Sequence, residues 1–440
     1  MADDTPEAQA GGKAVPHLGS LPAELFDKIL FETDTIRDLA RFTATARFVY
    51  RRFTMQRQTV LFRVLKNELG PVLVDARFLY MFPYSDTTDH AEYISRLRIM
   101  ADAYREMLRG GNATRGLPVQ RDVLPSLTEL TAICGTLHKI NFIADMYATA
   151  QLGLFLLGGG AGTPATAPLS PLERQRVVRA FYRRQILSNA WAATGRPKHW
   201  SEEDTAAISN TSTHQGEQLG LFGALEPWEL QHIEHANIFL ERLCLALVHH
   251  CPRTTNGARG ISPRQFDELF AHLHCLVRVL RTYRGIAKRA ARDLPTAMEP
   301  AHCARLRDEY VNPYQMIPMQ FAWQTSRAAS FPDPVTDKWE RDGLVVPYVG
   351  DGLDLVPYGW LDALQGRYVT WFGEGLHSIP WIPVWGSHEK SMVQFMTVHL
   401  WRYAGFSLWG RERVEALKGL SVFGKLYTGF VFNRLNGRDP

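Results

Sequence analysis

The chain has 440 residues, 45% of them apolar and 21% charged, an ordinary globular composition with room for two or three domain-sized units. A net charge of +4 is too mild to argue for nucleic acid as a partner. Five cysteines (Cys134, Cys244, Cys251, Cys275 and Cys303) make an odd count with no short paired spacing; with no secretory signal visible, they predict a reducing interior and an intracellular location, cytoplasmic, nuclear or both.

Residues 1–20 are acidic, small and polar, and are predicted to be a disordered leader. The first organised stretch runs over 21–70, where three helices are expected. Pro22 suits the first turn of a helix, and Glu24 in the same turn complements the positive end of its dipole. Leu25, Phe26, Ile29 and Leu30 recur at helical spacing. Thr35 followed by Asp38 is a capping box, ahead of a stripe through Ile36, Leu39, Phe42, Ala46, Val49 and Phe53. A third helix carries Leu61, Leu65 and Leu69 and is expected to stop at Gly70-Pro71. Helices this short cannot bury all their apolar surface among themselves, so some is left for a partner or for the rest of the chain.

Leu21-Pro22-x-Glu24-Leu25-x-x-x-Ile29-Leu30, the Asp38-Leu39 step and the small/aromatic second helix resemble the F-box. The resemblance covers residues 21–70, about 50 residues of the chain. It departs from many F-boxes in having no Trp near the third helix, where Thr59-Val60-Leu61-Phe62 stands. The resemblance implies docking on the Skp-family adaptor of a cullin-RING ubiquitin ligase, with the rest of the chain capturing an unknown protein substrate. It places adaptor contacts at Leu21, Pro22, Leu25, Ile29, Leu30, Leu39, Phe42, Ala46 and Phe53. The blocks SPLERQRVVRAFYRRQI, LEPWELQHIEHANIFL and YAGFSLWGRERVEAL are similar to blocks of F-box-like proteins of filamentous fungi, which extends the likeness to most of the chain. The rival reading is a non-catalytic interaction or structural protein whose F-box-like helices pack internally and recruit no ligase.

A first helical region is expected over 71–157, with helices at Ala91–Leu108 and from the Ser126/Glu129 capping box to about Phe155. The uncharged stretch Met146–Leu172 has only a short strongly apolar core, too little to span ~30 Å of hydrocarbon, so no membrane is expected. Residues 158–169, rich in Gly, Thr and Pro, read as an exposed linker. A second helical region over 170–311 has starts at Ser170-Pro171-Leu172-Glu173, Glu226-Pro227-Trp228-Glu229 and Ser262-Pro263-Arg264-Gln265. Residues 312–440 are rich in aromatics, Pro and Gly, and hold eight of the 11 tryptophans: Trp323, Trp339, Trp360, Trp371, Trp381, Trp385, Trp401 and Trp409. A short hairpin is expected around Asp351-Gly352, with helices at Lys390–Tyr403 and Arg411–Leu417. No internal repeat is visible. The predicted class is mainly α: the three-helix module, a large irregular helical domain and a Trp/Pro/Gly-rich C-terminal part.

Candidate chemistry is sparse. On one predicted helix His272, His274 and Cys275 point three ways, and His249-His250-Cys251 has the same difficulty. His232 and His235 share a face, but no HExxH is present; solvated or capping histidines are expected, and no metal. The GGGAG run at Gly158–Gly162 lacks the Lys-Ser/Thr of a phosphate loop. Glu202-Glu203-Asp204 fits a first helical turn. No catalytic residue or cofactor is predicted. Two surfaces invite binding. One is the stripe Arg174, Arg176, Arg179, Arg183 and Arg184, expected to be solvated or else a dock for an acidic segment. The other is the C-terminal tryptophans, most of which should be core.

Overall fold

The computed structural model describes residues 21–82, 90–108, 124–157, 159–191, 220–250, 269, 272–282, 340–341, 344–345, 350–355, 357–359, 405–418 and 420. The protein is mainly α-helical, and the described strands are two antiparallel pieces of two residues each, Glu340–Arg341 and Leu344–Val345. Residues 350–355, around Asp351-Gly352 where a hairpin is expected, make an irregular turn, and residues 346–349 and 356 beside them lie outside the described residues. Two compact units are present, one of residues up to Leu73 with Leu124–Cys134, the other of the remainder.

Among the described residues the stretch 21–70 of the first unit forms four short helices, not three: α1 (Ala23–Phe31), α2 (Ile36–Thr43), α3 (Arg47–Met55) and α4 (Arg57–Leu69). The expected second helix breaks at Ala44–Ala46. There the Thr45 hydroxyl donates to the Phe42 carbonyl at 2.7 Å, and Ala46 adopts extended backbone as the next helix starts. At the start of α2 the Asp38 N–H donates to Thr35 Oγ1 (3.0 Å), and the Ile36 N–H donates to the Glu68 carboxylate of α4 (2.8 Å). Helix α4 ends where expected, at Gly70, whose φ of +52° only glycine accepts freely. Leu30, Leu39, Val49, Val60, Val64 and Leu65 form the interior, with Leu130 and Ile133 from the first turns of α7 (Leu127–Leu157). Arg52 grips Asp27 with two nitrogens, and this bond holds the Asp27 carboxyl below its ordinary range.

The second unit is built from α5 (Leu73–Met81, from Val74 onward), α6 (His90–Leu108), the rest of α7, α8 (Pro171–Trp191), α9 (Pro227–His250), α10 (Leu273–Thr282) and α11 (Arg411–Lys418). The starts of α8 and α9 follow the expected signals at Ser170 and Glu226, and the one expected at Ser262 lies outside the described residues. The Glu173 N–H donates to Ser170 Oγ (3.2 Å) and the Ser170 N–H returns to Glu173 Oε2 (2.8 Å). The aromatic centre comprises Tyr147, Phe155, Phe181, Phe239 and Trp409, all buried, with Tyr147 stacked on Trp409 and edge-on to Phe239. Trp409 is therefore core; the other seven C-terminal tryptophans lie outside the described residues, as do the leader and the Lys390–Tyr403 segment.

The stretch expected to be a linker is anchored. Its described part makes a 3-10 turn, Pro164–Thr166, with Ala165 fully buried. Arg413 of α11 donates to the Ala165 carbonyl (2.6 Å) and the Pro168 carbonyl (3.0 Å). Small residues here permit close packing, with Gly160 too near the Phe155 carbonyl for any side chain.

Candidate functional site

Two features could meet a partner, one in each unit, and each follows from a helix with more on its faces than its periodicity reveals.

In the first unit α1 divides its apolar residues between two sides. Phe26 and Leu30 point inward, Leu30 with no exposure at all. Pro22, Leu25 and Ile29, spaced along one side, remain open, with Leu25 51% and Ile29 39% exposed. Leu21 is half-buried. Leu39 is interior, whereas Phe42, Ala46 and Phe53 are half-buried. Leu30 and Leu39 thus cannot be contacts, because the residues that complete an amphipathic helix serve its own core first. Sequence reasoning missed Phe48, Tyr50 and Met55 of α3, all exposed. Their signal was an apolar residue off the stripe in a helix that begins later than expected. Phe48 also packs against Phe26, with ring centroids 5.7 Å apart.

In the second unit the arginine stripe is not solvated. Arg176, Arg179, Arg183 and Arg184 are all buried, and only Arg174 stays half-exposed, paired with Asp145. Arg183 donates through Nε to Asp75 Oδ1 (2.8 Å) and pairs through Nη1 with Glu229 (2.7 Å). Arg179 reaches the other Asp75 oxygen (3.3 Å), Glu229 (3.5 Å) and Asp354. Tyr104 donates to Asp75 from α6. Burial alone would raise the Asp75 carboxyl, but Arg183 and Arg179 outweigh it and hold it below its ordinary range. Burial opposes the charge of Arg183, yet Asp75 and Glu229 keep it firmly protonated. Burial also pushes the Tyr104 phenol well up, so it remains a neutral donor.

Outward from this knot Arg176 donates to the Gly352 carbonyl (3.0 Å) and the Trp409 carbonyl (3.3 Å), and lies 3.6 Å from Asp351. Residues 350–355 are in this way fastened to α8 by the backbone of Gly352 and the carboxylates of Asp351 and Asp354. Asp351 also accepts from the Arg411 N–H at the start of α11 (3.2 Å).

The His232–His235 pair is buried too, contrary to the solvated or capping expectation. His232 Nε2 lies 2.7 Å from the Ser407 carbonyl and His235 Nε2 2.9 Å from Ser407 Oγ. Burial, then the charge of Arg176, depresses the His232 imidazole well below its usual range, so it stays neutral and donates to that carbonyl. His272 stands just outside α10 rather than on it, its ring 5.6 Å from that of His274. Among the described residues no cluster of three or more His, Cys, Asp or Glu is placed to hold a metal ion. The Cys134 thiol is pushed up to about 11 by burial and by Glu68, which makes it a poor nucleophile.

Comparison of the chain with protein-family models, with curated proteins and with solved structures found no match. Among the described residues no helix is long and apolar enough to cross a membrane.

Proposed function

We propose that the chain is a substrate-receptor subunit of a cullin-RING ubiquitin ligase. It docks on a Skp-family adaptor through α1, holds a protein substrate on its remaining helices, acts in the cytoplasm or nucleus, and contributes no catalytic residue of its own. The observation that carries this reading is the open row Pro22, Leu25 and Ile29, apolar side chains left in water on the helix whose sequence resembles an F-box. Exposed apolar side chains grouped along a helix are used for association more often than isolated ones. The interior positions of Leu30 and Leu39 favour the internal-packing rival at those two positions only, and they leave the open row unaccounted for.

The test is a double substitution, Pro22→Ala with Leu25→Ala, read in two ways. Burying one leucine is worth about 1.5–3 kcal/mol, so adaptor capture is expected to weaken by roughly ten- to a hundredfold. The melting temperature should barely move, because these side chains already face water. No adaptor bound by the wild type, together with strong destabilisation of the variant, would replace this reading with the internal-packing one.

A further inference from the structure

We propose that the arginine edge of α8 is a binding site for a short acidic segment of a partner protein, occupied in this structure by the chain's own residues 350–355. The helical side supplies three buried guanidiniums, from Arg176, Arg179 and Arg183, and two buried carboxylates, Asp75 and Glu229. Arg183 lies between those two carboxylates at 2.8 and 2.7 Å, whereas Arg176 and Arg179 also turn outward, to Asp351 and Asp354. A guanidinium taken out of water needs a carboxylate, and here the incoming segment brings the outer ones.

The segment itself is built like a ligand. Asp351 and Asp354 stand on an irregular turn, the Asp354 side chain 62% open and that of Asp351 31%, and both meet the helix by their carboxylates. Arg176 also takes the Gly352 carbonyl, so the contact reads backbone as well as charge. Gly350 has φ +119°, a conformation only glycine adopts freely, and a side chain at Gly352 would strike Leu355. The occupant recognised is therefore an acid-Gly-x-acid turn, its carboxylates three residues apart. A partner segment with this pattern competes with the resident one, whose tether gives it a high effective concentration. The affinity seen by the partner falls by the fraction of time the site is open.

This inference adds a substrate class to the receptor reading and rests on it only for where the competing segment comes from. The experiment needs no adaptor, so a failure here and a failure of adaptor capture are distinguishable. The full chain is titrated against a fluorescein-labelled synthetic peptide of residues 348–358, read by anisotropy. The same titration is made on Asp351→Asn/Asp354→Asn, which weakens the resident segment, and on Asp354→Asn alone, which leaves the Asp351 contact to Arg411 in place. The peptide is expected to bind both variants, the double one at least tenfold more tightly than wild type, with binding weakened by salt and abolished in a peptide carrying Asn at both acid positions. Equal binding to all three chains, or binding to none, would overturn the proposal and make 350–355 a fixed part of the fold. Dimerisation of the variants in place of peptide binding would likewise overturn it, assigning the site to a second copy of the chain.

Discussion

Asp75 and His232 show how differently two buried titratable side chains can be kept in the interior. Asp75 has no exposure and stays charged between two guanidiniums. Removing one member of such a group strands the others without compensation, so Asp75→Ala is expected to cost about 3–5 kcal/mol in urea unfolding. His232 is held neutral instead. Its depressed folded value means that, between that value and the ordinary one near 6.5, the unfolded chain binds a proton that the folded chain does not. Its contribution is therefore complete above about pH 6.5 and is lost as the pH falls toward the folded value. In His232→Gln, which keeps a donor for the Ser407 carbonyl, the urea midpoint should fall less between about pH 7 and pH 5 than in the wild type. An equal or steeper fall would show that His232 is not the group responsible.

At the scale of elements, the start of α8 does two things at once. Ser170 and Glu173 cap the helix reciprocally, and Glu173 also receives Arg413 through Nε (2.9 Å) and Nη2 (3.0 Å) and the Gly410 N–H (3.0 Å). Burial would raise the Glu173 carboxyl, but the hydrogen bond and charge of Arg413 prevail and lower it. Ser170→Ala should therefore cost about 1 kcal/mol, the usual worth of a cap, whereas Glu173→Ala should cost more and loosen α11 as well. The same clasp makes residues 159–169 a poor protease substrate. Limited proteolysis of the native chain should spare them, and rapid cleavage there would contradict the anchoring by Arg413.

For the whole molecule, the C-terminal residues complete the interior of the second unit. Phe406, Leu408, Trp409, Val414 and Leu417 are all buried, and Ser407 joins both histidines of α9. A chain ending at residue 404 should show faster amide exchange throughout α8 and α9, because their shared core is opened. Exchange in α4, whose buried residues belong to the first unit, should be unchanged. Faster exchange in α4 as well would mean that the two units unfold as one.

The sequence alone sufficed for several helix starts and one stop, because caps and 3.6-residue periodicity act over a few neighbours, but it ran α2 and α3 together across the break at Ala44–Ala46. Thr35, Ser126, Ser170 and Glu226 each start a helix as expected, and Gly70 ends one. Periodicity also groups Leu25 and Ile29 with Leu30 as apolar residues of α1 without separating them, since which side of α1 faces inward depends on α2 and α4. The burial of the α8 arginines is illegible in the sequence for the same reason. A run of positive charge looks solvated until the partners arrive, and Asp75 lies 104 residues from Arg179 and Asp354 lies 175. Only the tertiary structure brings those carboxylates together, because burying an ion pair depends on distant residues meeting and local periodicity carries no record of them.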